Sequence, residues 1–149
     1  METYMETLGC RAKEASRAAA KLTTVEKNRG LEFVAEELCL RKEELLSENE
    51  KDMEAAREQG MSEALQDRLR LTQARIEAMA EGLRQIAGLS DPIGEVLSMK
   101  NRPNGLRIGK KRVPLGVVGI IYESRPNAQQ MRSGCVLKTG NAVILAGRQ

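Results

Sequence analysis

The sequence has no histidine and no tryptophan, and its 149 residues include one phenylalanine and two tyrosines. Without imidazole, a zinc site would lack its usual nitrogen ligand. With so few rings, aliphatic side chains and alanine must fill the core, and the stacking platforms of single-strand nucleic-acid binders are missing. Three cysteines, Cys10, Cys39 and Cys135, lie far apart and in no paired motif. They do not resemble a metal cluster, and an odd number of thiols without a secretory leader fits a reducing compartment. The opening METYMETLGC carries acidic residues where a signal peptide has a basic region. No window approaches the ~18 apolar residues of a membrane span. The expected location is the cytoplasm, with no membrane and no nucleic acid as partner. Charge agrees: 24 basic residues against 21 acidic ones leave a net +3, too balanced to imply a polyanion.

What is present falls into two halves. Residues 1 to about 90 read as helices, and ASRAAAKL is rich in strong helix formers. In TTVEKNRGLEFVAEELCL, Thr23 and Glu26 stand at capping-box spacing, and Leu31, Val34, Ala35 and Leu38 mark one face. Cys39 on that helix reads as a small buried hydrophobe. SENEKDMEAAREQG offers Asn49 as an N-cap and Gly60 as a stop. LTQARIEAMAEGLRQIAGL puts Ile76, Met79, Ala80, Leu83 and Ala87 on one stripe, a core face that ends at Gly88 and SDPIG.

After residue 95 the pattern changes. MKNRPNGLRIGKKRVPLGVVGIIYE predicts two extended segments around a turn near Gly109-Lys110, with Lys110, Lys111 and Arg112 as a charged hairpin tip. Val117 to Ile121 is apolar at successive positions, as in a strand of a parallel sheet covered on both faces. Residues 128 to 138 are long enough for a helix. NAVIL, 141 to 145, reads as a second strand after a tight turn at Lys138-Thr139-Gly140-Asn141. Strand, helix and strand make one βαβ unit, which needs sheet neighbours and helices on both faces. The chain supplies none after it, so the expectation is a fragment of a larger protein or a chain completed by another.

Ligands of open α/β sheets bind beyond the carboxyl ends of the strands, where YESRPN, 122 to 127, is expected. Spacing alone leaves two readings open. The loop lines a crevice, or Pro126 simply breaks the strand and Glu123 pairs with Arg125 on the surface.

RVPLGVVGIIYESRPN followed by LKTGNAVIL, with DPIG and NRPNGLRIGKKRVPLG upstream, closely resembles the gamma-glutamyl phosphate reductase family of the aldehyde dehydrogenase superfamily. The helical half is similar too, in LGCRAKEASRAAAKL, EKNRGLEFVAEEL and RIEAMAEGLRQIAGLSDPIG. The reductase part of pyrroline-5-carboxylate synthase carries similar words. The resemblance implies an α/β fold with an N-terminal helical segment, residues 1–98. Residues 99–149 would then be the first βαβ unit of an incomplete Rossmann-like nucleotide-binding domain. It also implies NADPH-dependent reduction of gamma-glutamyl phosphate in proline biosynthesis, by a homo-oligomeric full-length enzyme. A cysteine thiolate would attack the acyl phosphate and divide one hard displacement into two easier ones. The family's oxyanion donor maps onto Asn127, with Ser124 as the alternative by ungapped counting. Ile121, Tyr122 and Glu123 would pass the nicotinamide end of NADP. Arg125, with its planar fork, would bind the substrate phosphate or carboxylate.

Three departures from the family stand out. None of the three cysteines matches the nucleophile, which would lie in a part not present. AQQMRSG, 128 to 134, stands where the family has VTVDAAA, so Gln130, Arg132 and Gly134 replace apolar or small residues on a helix expected to be buried. Gly134 also lowers helix propensity by about 1 kcal/mol relative to alanine. Finally, ILAGRQ replaces ILRGG, putting Ala146 where a basic residue would lie near the adenosine ribose. A non-catalytic chain that associates with or regulates a full-length reductase is the alternative function.

Overall fold

The computed structural model describes residues 3–123 and 126–148. Five helices come first: α1 (Tyr4–Ala19), α2 (Thr24–Leu40), α3 (Lys42–Glu58), α4 (Glu63–Leu69) and α5 (Gln73–Gly88). The second half holds β1 (Val96–Asn101), β2 (Arg107–Lys111), β3 (Val117–Glu123), α6 (Pro126–Lys138) and β4 (Ala142–Arg148).

α2 starts where the capping box predicts. The Thr23 hydroxyl accepts from the Glu26 backbone N–H at 3.3 Å, and the Glu26 carboxylate accepts from the Thr23 N–H at 2.7 Å. Thr3 and Glu6 form the same reciprocal pair at the start of α1. Asn49 is not a cap. It sits buried inside α3, where its amide donates to the Leu69 carbonyl at 3.0 Å and accepts from the Leu71 N–H at 2.7 Å. A buried amide that satisfies the backbone of a distant loop leaves its own helix free to run through. Gly60 does come just after the end of α3, with φ +67°.

The core forms between two helices. Leu31 and Ala35 of α2 meet Ala80, Leu83, Ile86 and Ala87 of α5, and Met131 and Leu137 of α6 pack against them. Burying a leucine such as Leu31 stabilises the fold by about 1.5–3 kcal/mol. α6 comes very close. A methyl on Gly134 would lie 2.8 Å from Leu83 Cδ2, and the Met131 thioether lies over Gly82, where a side chain would meet it. The glycine that weakens α6 in isolation is therefore what lets it seat on the core.

β1 and β2 form an antiparallel hairpin with a bulge between Val96 and Ser98. Its turn is at Arg102–Leu106, not near Gly109-Lys110. The Arg102 N–H donates to the Leu106 carbonyl at 2.8 Å, and Gly105 takes φ +84°. Pro103-Asn104-Gly105 wins because proline presets one turn angle and glycine accepts the positive φ. Gly109 pairs with Met99 within the ladder, so the basic triplet 110–112 begins at the far end of β2 rather than at a tip.

β3 and β4 pair in parallel around α6, as the βαβ pattern predicts. The LKTGN turn is pinned by Asn141. Its side-chain oxygen accepts from the Gly116 N–H at 2.8 Å, and its amide donates to the Thr139 carbonyl. The expected cover on both faces of β3 is not present. Val118, Ile120 and Tyr122 are half-buried, while Val117, Gly119 and Ile121 are exposed. α6 packs on the two strands and α1 also contacts both, yet these alternate positions of β3 stay exposed.

Candidate functional site

The register of the parallel pair runs from Val117 opposite Ala142 to Glu123 opposite Arg148, so both strands end at one edge. α6 begins at Pro126, immediately beyond that edge. Pro126 suits the first helical turn, where its missing N–H leaves no bond unmade. Asn127 is exposed in that same turn. Ile121, close to the strand end, is 86% exposed and offers an apolar surface beside the edge. Tyr122 is half-buried, and its ring lies over Gly147, where a methyl would come within 2.9 Å of the hydroxyl oxygen. Glu123 is the last residue of β3. Ile121, Tyr122, Glu123 and Asn127 thus share one edge, while Ser124 and Arg125 lie outside the described residues.

The three cysteines lie on three different helices. Cys10 is exposed on α1, and Cys39 of α2 packs against the core, as a small hydrophobe would. Cys135 is exposed on α6, eight residues beyond Asn127, which is about 12 Å of helix rise. That rise keeps Cys135 from the position of Asn127.

Sequence reasoning missed two buried polar clusters. Lys27, 2% exposed, forms an ion pair with Asp91, which also accepts from the Thr24 hydroxyl at 2.8 Å and the Ile93 N–H at 3.0 Å. Burial pushes the Asp91 carboxyl up. The hydrogen bonds from Lys27, Ile93 and Thr24, with the Lys27 charge, outweigh it and hold Asp91 below the usual aspartate value. Lys138, 3% exposed at the end of α6, donates to Asn28 Oδ1 at 2.5 Å and to the Ala87 carbonyl at 2.9 Å. These contacts tie the start of α2 and the end of α5 to the end of α6, far from Asn127. Both are structural pins. The one available signal was a pair of adjacent polar residues, Lys27 and Asn28, directly after the capping box.

An apolar groove of about 410 Å³ opens between α1, α2, α6 and the start of β4. Ala15, Ala19, Val34, Leu137 and Val143 line it, and Gln130 borders it with a buried side-chain oxygen that has no hydrogen-bond partner among the described residues. It runs from the amino end of β4 to Gln130, one helical turn beyond Asn127.

No protein-family model matches the chain. Curated relatives do. A gamma-glutamyl phosphate reductase of Lachnospira eligens is 55% identical over 143 residues, which are 96% of this chain and 34% of the relative. One from Halothermothrix orenii is 53% identical over 137 residues, covering 92% of this chain and 33% of the relative. The crystal structure of the Thermotoga maritima gamma-glutamyl phosphate reductase superposes with a TM-score of 0.92 at 41% identity, over 97% of this chain and 35% of that one. The Saccharomyces cerevisiae reductase gives 0.94 at 26% identity, over 100% and 38%.

The chain corresponds to an N-terminal portion of gamma-glutamyl phosphate reductases. It spans about a third of the length of the curated relatives it matches. The reductase fold, a helical region followed by short strands, extends over the AQQMRSG stretch as well, because the structural match covers nearly every residue. Among the described residues, no helix is long and apolar enough to cross a membrane.

Proposed function

We propose that this chain forms part of a cytoplasmic, NADPH-dependent gamma-glutamyl phosphate reductase that makes glutamate 5-semialdehyde and phosphate for proline biosynthesis. The observation that carries this reading is 55% identity to a reductase across 96% of the chain. Residues 1–98 would be its helical segment and 99–149 the start of its nucleotide-binding domain, joined through α6. The full-length form is read as a homo-oligomer.

In this reading, a thiolate from the part of the reductase outside this chain attacks the acyl carbon. Phosphate leaves with the electrons of the broken carbon–oxygen bond, and a thioester remains. NADPH, when bound, supplies the hydride. The residues of this chain hold and orient the reacting groups. Asn127, in the first turn of α6, would donate its amide N–H to the developing oxyanion, helped by the partial positive charge of the helix start. Ser124 is the alternative donor. Arg125 would grip the phosphate or carboxylate as a fork. Ile121, Tyr122 and Glu123 would flank the nicotinamide, and the bare apolar side chain of Ile121 fits a flat ring better than it fits water.

The test joins this chain to the two-thirds of the Thermotoga maritima reductase that it does not cover. NADPH oxidation with gamma-glutamyl phosphate is expected, and Asn127→Ala should lower kcat by about 100- to 1000-fold without changing the thermal melt. A folded chimera without turnover would refute the reading. The 149-residue chain by itself should show no turnover above a no-enzyme control, since in this reading none of its cysteines is the family's nucleophile.

A further inference from the structure

We infer that Lys138 is a positioning residue for the reductase chemistry: it fixes where α6 lies along α5, and through that helix it sets the place of Asn127. The inference rests on the reductase reading, which gives Asn127 its role, and adds a residue at the opposite end of the helix.

Stability alone does not account for Lys138. Its ammonium is buried, and both acceptors it meets, Asn28 Oδ1 at 2.5 Å and the Ala87 carbonyl at 2.9 Å, are neutral. A charge buried without a counter-charge is costly, and well-packed apolar side chains in place of buried charges are often as stable or more so. What the ammonium adds is direction and distance. The Ala87 carbonyl belongs to the last turn of α5, where carbonyls have no partner within their own helix and a cation suits the negative end of the dipole. α5 has no basic residue of its own in that turn, so Lys138 supplies one from α6.

The other contacts between these two helices are apolar and mark no single axial position. Along both helices in the same order, Met131 lies over Gly82, Gly134 lies against Leu83 and Ile86, and Lys138 reaches Ala87. α6 runs as one helix from Pro126 to Lys138, so the eleven residues from Asn127 to the pin span about 16 Å of rise. A rod held at one end carries its other end with it. Without the pin, a shift of α6 by about an ångström is enough to matter, since a misplacement of that size costs about 100-fold in rate.

The experiment uses the Thermotoga maritima chimera and measures kcat and KM with Lys138→Met, Asn127→Ala and both together, at a temperature where each melt shows a folded protein. Lys138→Met should lower kcat by about 10- to 100-fold and leave the KM for NADPH unchanged. In that background the cost of Asn127→Ala should shrink from about 100- to 1000-fold to less than about tenfold, because a donor already out of place has little left to lose. Asn28→Ala keeps the Ala87 contact, so it should act in the same direction by less, and it replaces Lys138→Met if that variant does not fold. Asp91→Asn, at the other buried pin, loosens the tie between α2 and residues 91–93 but not α6. It should lower the melt and keep the full cost of Asn127→Ala. A crystal structure of the Lys138→Met chimera should show α6 displaced along α5, with Asn127 carried along.

An unaltered Asn127→Ala cost in the pin variants overturns the inference, as does an α6 that has not moved. A cost that shrinks equally with Asp91→Asn also overturns it, since any loosening would then suffice. Failure of the reductase reading looks different. A folded chimera without turnover, or one indifferent to Asn127→Ala, overturns that reading and this inference with it.

Discussion

In α2 and α5, leucines on the shared helical face are almost fully buried, Leu31 at 2% and Leu83 at 1%, whereas in β3 the equally apolar Ile121 is 86% exposed. The two halves contain similar side chains. They differ in what their backbones require. A helix closes its own hydrogen bonds and needs one neighbour to bury one stripe, so α2 and α5 complete each other. A parallel strand needs partners on both edges and cover on both faces, and β3 has one partner among the described residues and leaves Val117, Gly119 and Ile121 exposed despite its contacts with α6 and α1. α6 belongs to both systems. It crosses between the strands, yet its inner surface, Met131, Gly134 and Leu137, completes the helical core.

The strongest way to break the finished half is at its buried ion pair. Asp91→Ala leaves the Lys27 ammonium buried without its carboxylate, which should cost about 3–5 kcal/mol, measured by urea denaturation. The same pair sets a pH dependence. Asp91 is held below its unfolded value, so its contribution is fully present above pH ~4 and fades as pH falls through the lower folded value. Asp91→Asn should flatten the acid limb of the stability curve. An unchanged acid limb would mean that other carboxylates govern acid unfolding.

The contrast between the halves sharpens with one type of truncation made in each. Leu83→Ala removes buried contacts to Leu31 and α6 and should cost about 2–5 kcal/mol in the isolated chain. Ile121→Ala removes a side chain already in water and should fall within about 0.5 kcal/mol. Equal costs in the isolated chain would show that β3 is already packed.

The helices are legible in the sequence because their signals are local. The capping box at Thr23 and the stripe from Ile76 to Ala87 each lie within a single element, and both appear where spacing puts them. Asn49 misleads for the same reason. Its partners, Leu69 and Leu71, are some twenty residues away, and no local pattern announces them. The hairpin turn lies away from Gly109-Lys110 because Pro103-Asn104-Gly105 has the stronger turn chemistry. β3 and β4 are legible as strands, but their surroundings are not, since apolar runs report the need for cover and not its source. At the candidate site, the shared edge comes from the βαβ order. The Lys138 pin does not, because it joins residues 110 positions apart in sequence.

The smallest effect comes from one motif used twice. The boxes at Thr3 and Thr23 have matching geometry, each threonine hydroxyl 3.3 Å from the N–H it caps and each glutamate 2.7 Å from the threonine N–H. In both, the backbone N–H and then the hydroxyl of the threonine hold the glutamate carboxyl below its usual range. The helical turns that the two boxes open are not alike. The first turn of α1 presents Tyr4 and Met5 to water at 78% and 66%, so that turn can fray without loosening the core. The first turn of α2 holds Lys27, bound to Asp91, and leads directly to Leu31, so fraying there undoes the buried pair. Thr23→Ala should therefore cost about 1 kcal/mol of global stability. Thr3→Ala should leave the global melt unchanged and speed amide exchange only in the opening turn of α1. Equal global costs would mean that the start of α1 is held by more than its own cap.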